Sequence, residues 1–113
     1  MSDVDPFLRD QFLEQIVDRA ERLGADCSYL PAAVKRRLAL GLERYGAGAW
    51  RGRDNIRELS EEAQDLVAYA LFEYLTTVEA TDDTEGHIPQ DLFMAALYAA
   101  VADFYARRAR VTV

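Results

Sequence analysis

Apolar residues recur at three- and four-residue intervals along most of this chain, the period of α-helices packed on one face. Leu8, Phe12, Ile16, Ala20 and Leu23 mark the first such segment. It opens at Asp5, whose carboxylate can cap free backbone N–H groups, and Pro6 follows where a missing N–H costs nothing. Gly24 is a natural stop, so the pattern predicts a helix over 6–23. A second stripe of Val34, Leu38, Leu42 and Tyr45 predicts a helix over 31–45, opened by Pro31 and closed by Gly46. The linker after it carries Gly48, Trp50, Arg51, Gly52 and Arg53. Asp54 then caps a long third helix, predicted over 55–79, with Leu59, Ala63, Leu66, Ala70 and Tyr74 facing the core. The polar, acidic stretch from Thr81 to His87 reads as a loop. Pro89 begins a fourth helix over 89–109, whose closing arginines, Arg107, Arg108 and Arg110, suit the negative end of the helix dipole.

No useful period-two alternation occurs, so no sheet is expected. The predicted fold is all-α, a four-helix bundle-like single domain over residues 1–113. From Leu92 to Ala102 the fourth helix is apolar nearly all round, a property of a helix central in a bundle or buried between subunits. Its alanines, among them Ala95, Ala96, Ala99, Ala100 and Ala102, permit close approach of neighbouring backbones. Four helices cover only part of such a surface, which predicts a homodimer.

Composition narrows the setting. Thirteen basic against twenty acidic residues give a formal charge of −7, a surface that repels nucleic acid. With Cys27 the single cysteine, no disulfide can form within the chain, which favours the cytoplasm. The N-terminal residues lack the basic and apolar regions of a signal peptide, and the longest apolar run is about half a bilayer crossing. The expectation is a soluble cytoplasmic protein with no membrane partner. His87 is the only histidine, so a histidine-based triad or metal site is excluded.

Glu58, Glu61, Glu62 and Asp65 sit at i, i+3, i+4 and i+7 on the third helix and project from one side of it. Like charges so spaced destabilise a helix by about 0.2–0.5 kcal/mol per pair. A divalent cation would relieve the repulsion, since Mg²⁺ or Mn²⁺ prefers carboxylate oxygen and commonly arrives with phosphates. Toward the C-terminus the stripe continues as Tyr69, Phe72 and Thr76, which points to a groove instead of open water. A plainer reading makes the acids a solvated face, with Arg57 paired to Glu61 and Trp50 a lid on the core.

The run Leu59-Ser60-Glu61-Glu62-Ala63-Gln64-Asp65-Leu66-Val67 resembles the second metal-binding helix of the MazG-like all-α nucleoside triphosphate pyrophosphatases. The preceding Arg44-Tyr45-Gly46 and Gly52-Arg53-Asp54 are similar to small phage-encoded proteins grouped with them, and the likeness spans about residues 43–80. The resemblance implies a dimeric helical bundle that cleaves a nucleoside triphosphate to monophosphate and pyrophosphate with Mg²⁺ or Mn²⁺. It matches Glu62 and Asp65 to the family's second metal pair and Glu61 to the neighbouring acid; Glu58, one turn before Glu61, is an alternative further ligand, and Glu61 is the candidate to activate the attacking water. It leaves Arg51, Arg53 and Arg57 for the phosphates, and Trp50 and Tyr45 for stacking on the base. The family's first carboxylate pair has no match, because the helix expected to carry it offers only Glu43. The rival reading is a non-catalytic helical adaptor or inhibitor, of phage type, that binds another protein. The enzyme reading requires Glu62 and Asp65 to be partly buried beside acids of another helix.

Overall fold

The computed structural model describes residues 4–81 and 87–112, with side chains to 110. Helix α1 runs Pro6–Arg22, α2 Leu30–Tyr45, α3 Asn55–Thr81 and α4 Gln90–Thr112, with a short 3₁₀ turn at Ala49–Gly52 before α3. Among the described residues there is no strand. The all-α expectation holds, and each predicted helix lies within a few residues of its expected bounds. Of the predicted loop, Thr81 belongs to α3, and residues 82–86 lie outside the described residues.

The expected punctuation is in place. The Asp5 carboxylate accepts from the backbone N–H of Phe7 at 2.8 Å and of Leu8 at 3.3 Å. Asp54 accepts from the N–H of Arg57 at 3.0 Å and so caps α3. Gly46 ends α2 at φ +83°, a left-handed conformation that is cheap only without a Cβ.

Contacts divide the chain between Arg53 and Asp54 into two helical units. In the first unit α1 packs on α2. Leu13 is its buried side chain, at 5 % exposure, with Val17, Ala20, Val34 and Leu42 half-buried. This corrects the expected core stripe of α1. Leu8, Phe12, Ile16 and Leu23 are exposed, because α2 lies against the neighbouring side of the helix, the one bearing Leu13. On α2, Leu38 and Tyr45 are likewise exposed. A single partner helix covers one narrow strip, and α1 carries more apolar residues than one strip can hold.

In the second unit α3 and α4 form an antiparallel hairpin. Two stripes of alternating four- and three-residue spacing meet in its seam. Ile56, Ser60, Ala63, Val67, Ala70 and Tyr74 come from α3, and Leu92, Ala96, Ala99, Asp103, Ala106 and Arg110 from α4. Ala63, Ala99 and Ala106 are buried to 3–5 % exposure, so the seam is built from small side chains. The expectation that the α4 alanines admit a close neighbour is met at Ala99 and Ala106, whereas Ala95, Ala100 and Ala102 are exposed. Leu59 and Leu66, expected in the core, flank the seam and are 54 % and 58 % exposed. The reason is geometric: helices that meet on alanine leave larger neighbours splayed outward on either side.

Candidate functional site

At the end of the hairpin where α3 begins and α4 finishes, the seam changes from alanine to polar residues. The hydroxyl of Ser60 donates a short hydrogen bond to the Asp103 carboxylate, which ties the two helices together. The Gln64 amide donates to the other Asp103 oxygen at 3.4 Å, and Arg107 Nε donates to Asp103 at 3.2 Å. One turn further on, Arg110 Nη2 reaches the Asp54 carboxylate at 2.5 Å. On α3, Arg57 Nε pairs with Glu61 at 3.0 Å. These side chains surround a groove of about 590 Å³ lined by Asp54, Ile56, Arg57, Ser60, Glu61, Gln64, Arg107 and Arg110.

Asp103 is the acid most enclosed here, its side chain 21 % exposed. The Ser60 hydroxyl holds its pKa below the ordinary carboxylate value, with Arg107 assisting and partial burial opposing. The backbone N–H of Arg57 and the Arg110 guanidinium lower Asp54 in the same way. A carboxylate lowered by folding contributes stability above its unfolded pKa and loses it as pH falls through its folded pKa. The hairpin is therefore expected to melt at a pH-independent temperature, as far as these groups act, down to about pH 4. Below that its melting temperature falls. Asp103→Asn should flatten this acid limb in melts followed by circular dichroism; an unchanged limb would mean that the seam carboxylate does not contribute.

The residues singled out in the sequence divide into three sets. Glu61 and Arg57 line the groove, paired with each other as the plainer reading expects. Glu58 is half-buried, and Glu62 and Asp65 are exposed on the side of α3 turned from the seam. Neither Glu62 nor Asp65 lines the groove. Arg51, Arg53, Trp50 and Tyr45 belong to the first unit. There the Arg51 guanidinium stacks on the Trp50 ring, 4.7 Å from its centroid, and Arg44 lies 6.0 Å from that of Tyr45. Trp50 and Tyr45 are 43 % and 63 % exposed. Trp50 is thus only partly covered, short of the lid expected of it.

The carboxylates of α3 are the kind of donor that Mg²⁺ or Mn²⁺ takes. However, among the described residues no three His, Cys, Asp or Glu side chains are placed to hold one ion together. The donors suit the metal in chemistry and do not fit it in arrangement. Sequence reasoning missed Asp54, Ser60, Gln64, Arg107 and Arg110 as groove residues. The signal available was the 4-3 spacing of Asp103 and Arg110 with the alanines of α4, which places both in the seam. No family model, curated protein or solved structure matches the chain.

Proposed function

We propose that this chain is a helical protein-binding module that works through the apolar flank of its α3–α4 hairpin, with a second copy of itself as partner. The supporting observation is the set Leu71 and Leu75 on α3 with Phe93, Leu97 and Phe104 on α4, each 43–55 % exposed. Helical spacing from the seam residues puts all five on the groove's side of the hairpin, Phe104 level with its polar end and the other four beyond it. Large patches of this kind mark interaction surfaces. At about 200 Å² for a whole large side chain, five half-exposed ones supply roughly 500 Å² per copy. Two copies then bury about 1,000 Å², the lower bound for a specific interface. Sedimentation equilibrium of the wild-type chain tests the pairing, and a monomer at all concentrations would refute it.

A second reading, a metal-dependent nucleotide pyrophosphohydrolase, is favoured by one observation: Glu61 and Arg57 face the same groove as Arg107 and Arg110. Carboxylates beside guanidiniums are the side chains that polyphosphate chemistry uses. Within the described residues of one chain the metal arrangement is not made, and Glu62 and Asp65 are exposed instead of partly buried as this reading requires. The test is pyrophosphate release from a panel of nucleoside triphosphates with Mg²⁺ or Mn²⁺, beside the Glu62→Ala/Asp65→Ala variant. Turnover that disappears in the variant would establish this reading. Absence of turnover with every nucleotide leaves the binding module standing alone.

A further inference from the structure

The formal charge of −7 is an average over an uneven chain. From Leu30 to Arg53, through α2 and the 3₁₀ turn, Lys35, Arg36, Arg37, Arg44, Arg51 and Arg53 stand against one acid, Glu43. Two turns along α2, Arg44 falls between Arg36 and Arg37 around the helix, so the three share one side. All three are exposed and span about 12 Å of helix. Arg57, Arg107 and Arg110 of the hairpin are each tied to a carboxylate. Arg36, Arg37, Arg44 and Arg51, by contrast, make no ion pair among the described residues. Beyond α2 come two exposed rings, Tyr45 and Trp50, five residues and so at most about 18 Å apart. Arg44 lies over the first and Arg51 over the second. Gly48 makes room for this stack, since a Cβ there would stand 2.6 Å from Arg51 Nη1.

We infer that this face of the first unit binds single-stranded nucleic acid. Arg36, Arg37 and Arg44 take backbone phosphates along α2, and the rings of Tyr45 and Trp50 take unpaired bases. Guanidiniums with no carboxylate partner present their forks to phosphate oxygens. An exposed ring gives any base a face to stack on, which with arginine beside it is the usual make-up of a strand-binding surface. The rings decide between ligands. An acidic peptide would engage the arginines and leave both rings unused, and a duplex keeps its base faces in its own stack. The length of the arginine row decides for a polymer, because it runs two helical turns away from the rings. Neither forks nor rings read the 2′-hydroxyl, so deoxy and ribo strands both suit the face. The acidic remainder of the chain opposes binding, which makes it modest in strength and sensitive to salt. For three phosphates held, the logarithm of the binding constant falls against that of salt with a slope of about −2.

Trp50 is the only tryptophan, so its fluorescence reports stacking in the wild-type chain without a label. Titration at low salt with thymidylate or uridylate strands of about twenty nucleotides should quench it saturably. Anisotropy of labelled strands should give the same midpoint. Arg36→Gln/Arg37→Gln is expected to weaken binding at least tenfold. Glu43→Gln, which removes the acid bordering the face, should tighten it about twofold. All three positions are exposed, so melts of these variants should match the parent and separate binding from folding. Arg19→Gln/Arg22→Gln, at exposed positions of α1, removes the same charge elsewhere and should bind as the parent does. The inference would be overturned by no saturable binding, by binding without quenching, or by an equal loss in the α1 variant. Polyglutamate or duplex DNA binding as tightly as the strands would overturn it too, as would displacement of the strand by an equal concentration of nucleoside triphosphate. No metal, turnover or hairpin residue enters the measurement, so its outcome is independent of the assembly and hydrolase readings.

Discussion

Ala106→Leu is expected to destabilise the α3–α4 hairpin by about 1–3 kcal/mol, the usual cost of forcing methylenes into a packed seam. For a unit of this size that corresponds to a fall in melting temperature of roughly 5–20 °C. Ala106 is 3 % exposed and sits one turn from Asp103, the residue that Ser60 bonds across the seam. A leucine there pushes the helices apart where the Ser60–Asp103 bond needs them close, so the polar contact is strained along with the packing. The two effects act on one contact and will not add independently. Ala102→Leu provides the comparison. Ala102 is on the same helix but exposed, and its substitution should stay within about 0.5 kcal/mol. Thermal melts of both variants decide the matter. Equal behaviour would mean that α3 and α4 do not meet on their alanines.

Leu97→Glu is expected to dissociate the proposed pair, raising its dissociation constant at least a hundredfold while leaving the melting temperature of the separated chain nearly unchanged. Leu97 is 43 % exposed on the flank it shares with Leu71, Leu75, Phe93 and Phe104. A carboxylate at a desolvated contact is costly, and in a two-fold interface each substitution is felt twice. On the separated hairpin the same side chain faces water, where glutamate suits a helix at least as well as leucine does. Sedimentation equilibrium across a concentration series reads the effect. Leu66→Glu, on the opposite flank at 58 % exposure, distinguishes the surfaces. Should Leu66→Glu dissociate the pair while Leu97→Glu does not, the assembly uses the other flank and the assignment fails.

The carboxylate stripe shows what spacing alone leaves open. The positions of Glu58, Glu61, Glu62 and Asp65 on one side of α3 follow from helical periodicity. Whether they act together depends on what stands opposite them, and among the described residues no three acids are gathered to hold one ion. Glu61 joins the groove because it lies on the flank of α3 that also carries Arg57 and Gln64, and it pairs there with Arg57. Asp103 shows the converse. Periodicity places this acid on the same side of α4 as Ala96 and Ala99 without saying what it meets, and it makes the cross-helix bonds that bind Ser60 and Gln64 to α4.

Helix existence, helix ends and caps were legible in the residues, since each depends on local chemistry. Asp5 and Asp54 cap the N–H groups a few residues beyond them, and Gly46 supplies a backbone angle that other residues resist. Which apolar side is buried depended on the partner helix. Amphipathic spacing on α1 pointed to Phe12, but the place beside α2 went to Leu13, because a broad apolar surface offers several strips and packing uses one. On α3 the same choice favoured Ala63 over Leu66, since close approach of two backbones is possible only where both sides are small. The groove is a product of tertiary structure altogether. Its members come from the start of α3 and the end of α4, far apart in the chain, and only an antiparallel hairpin brings Asp54 to Arg110 and Ser60 to Asp103.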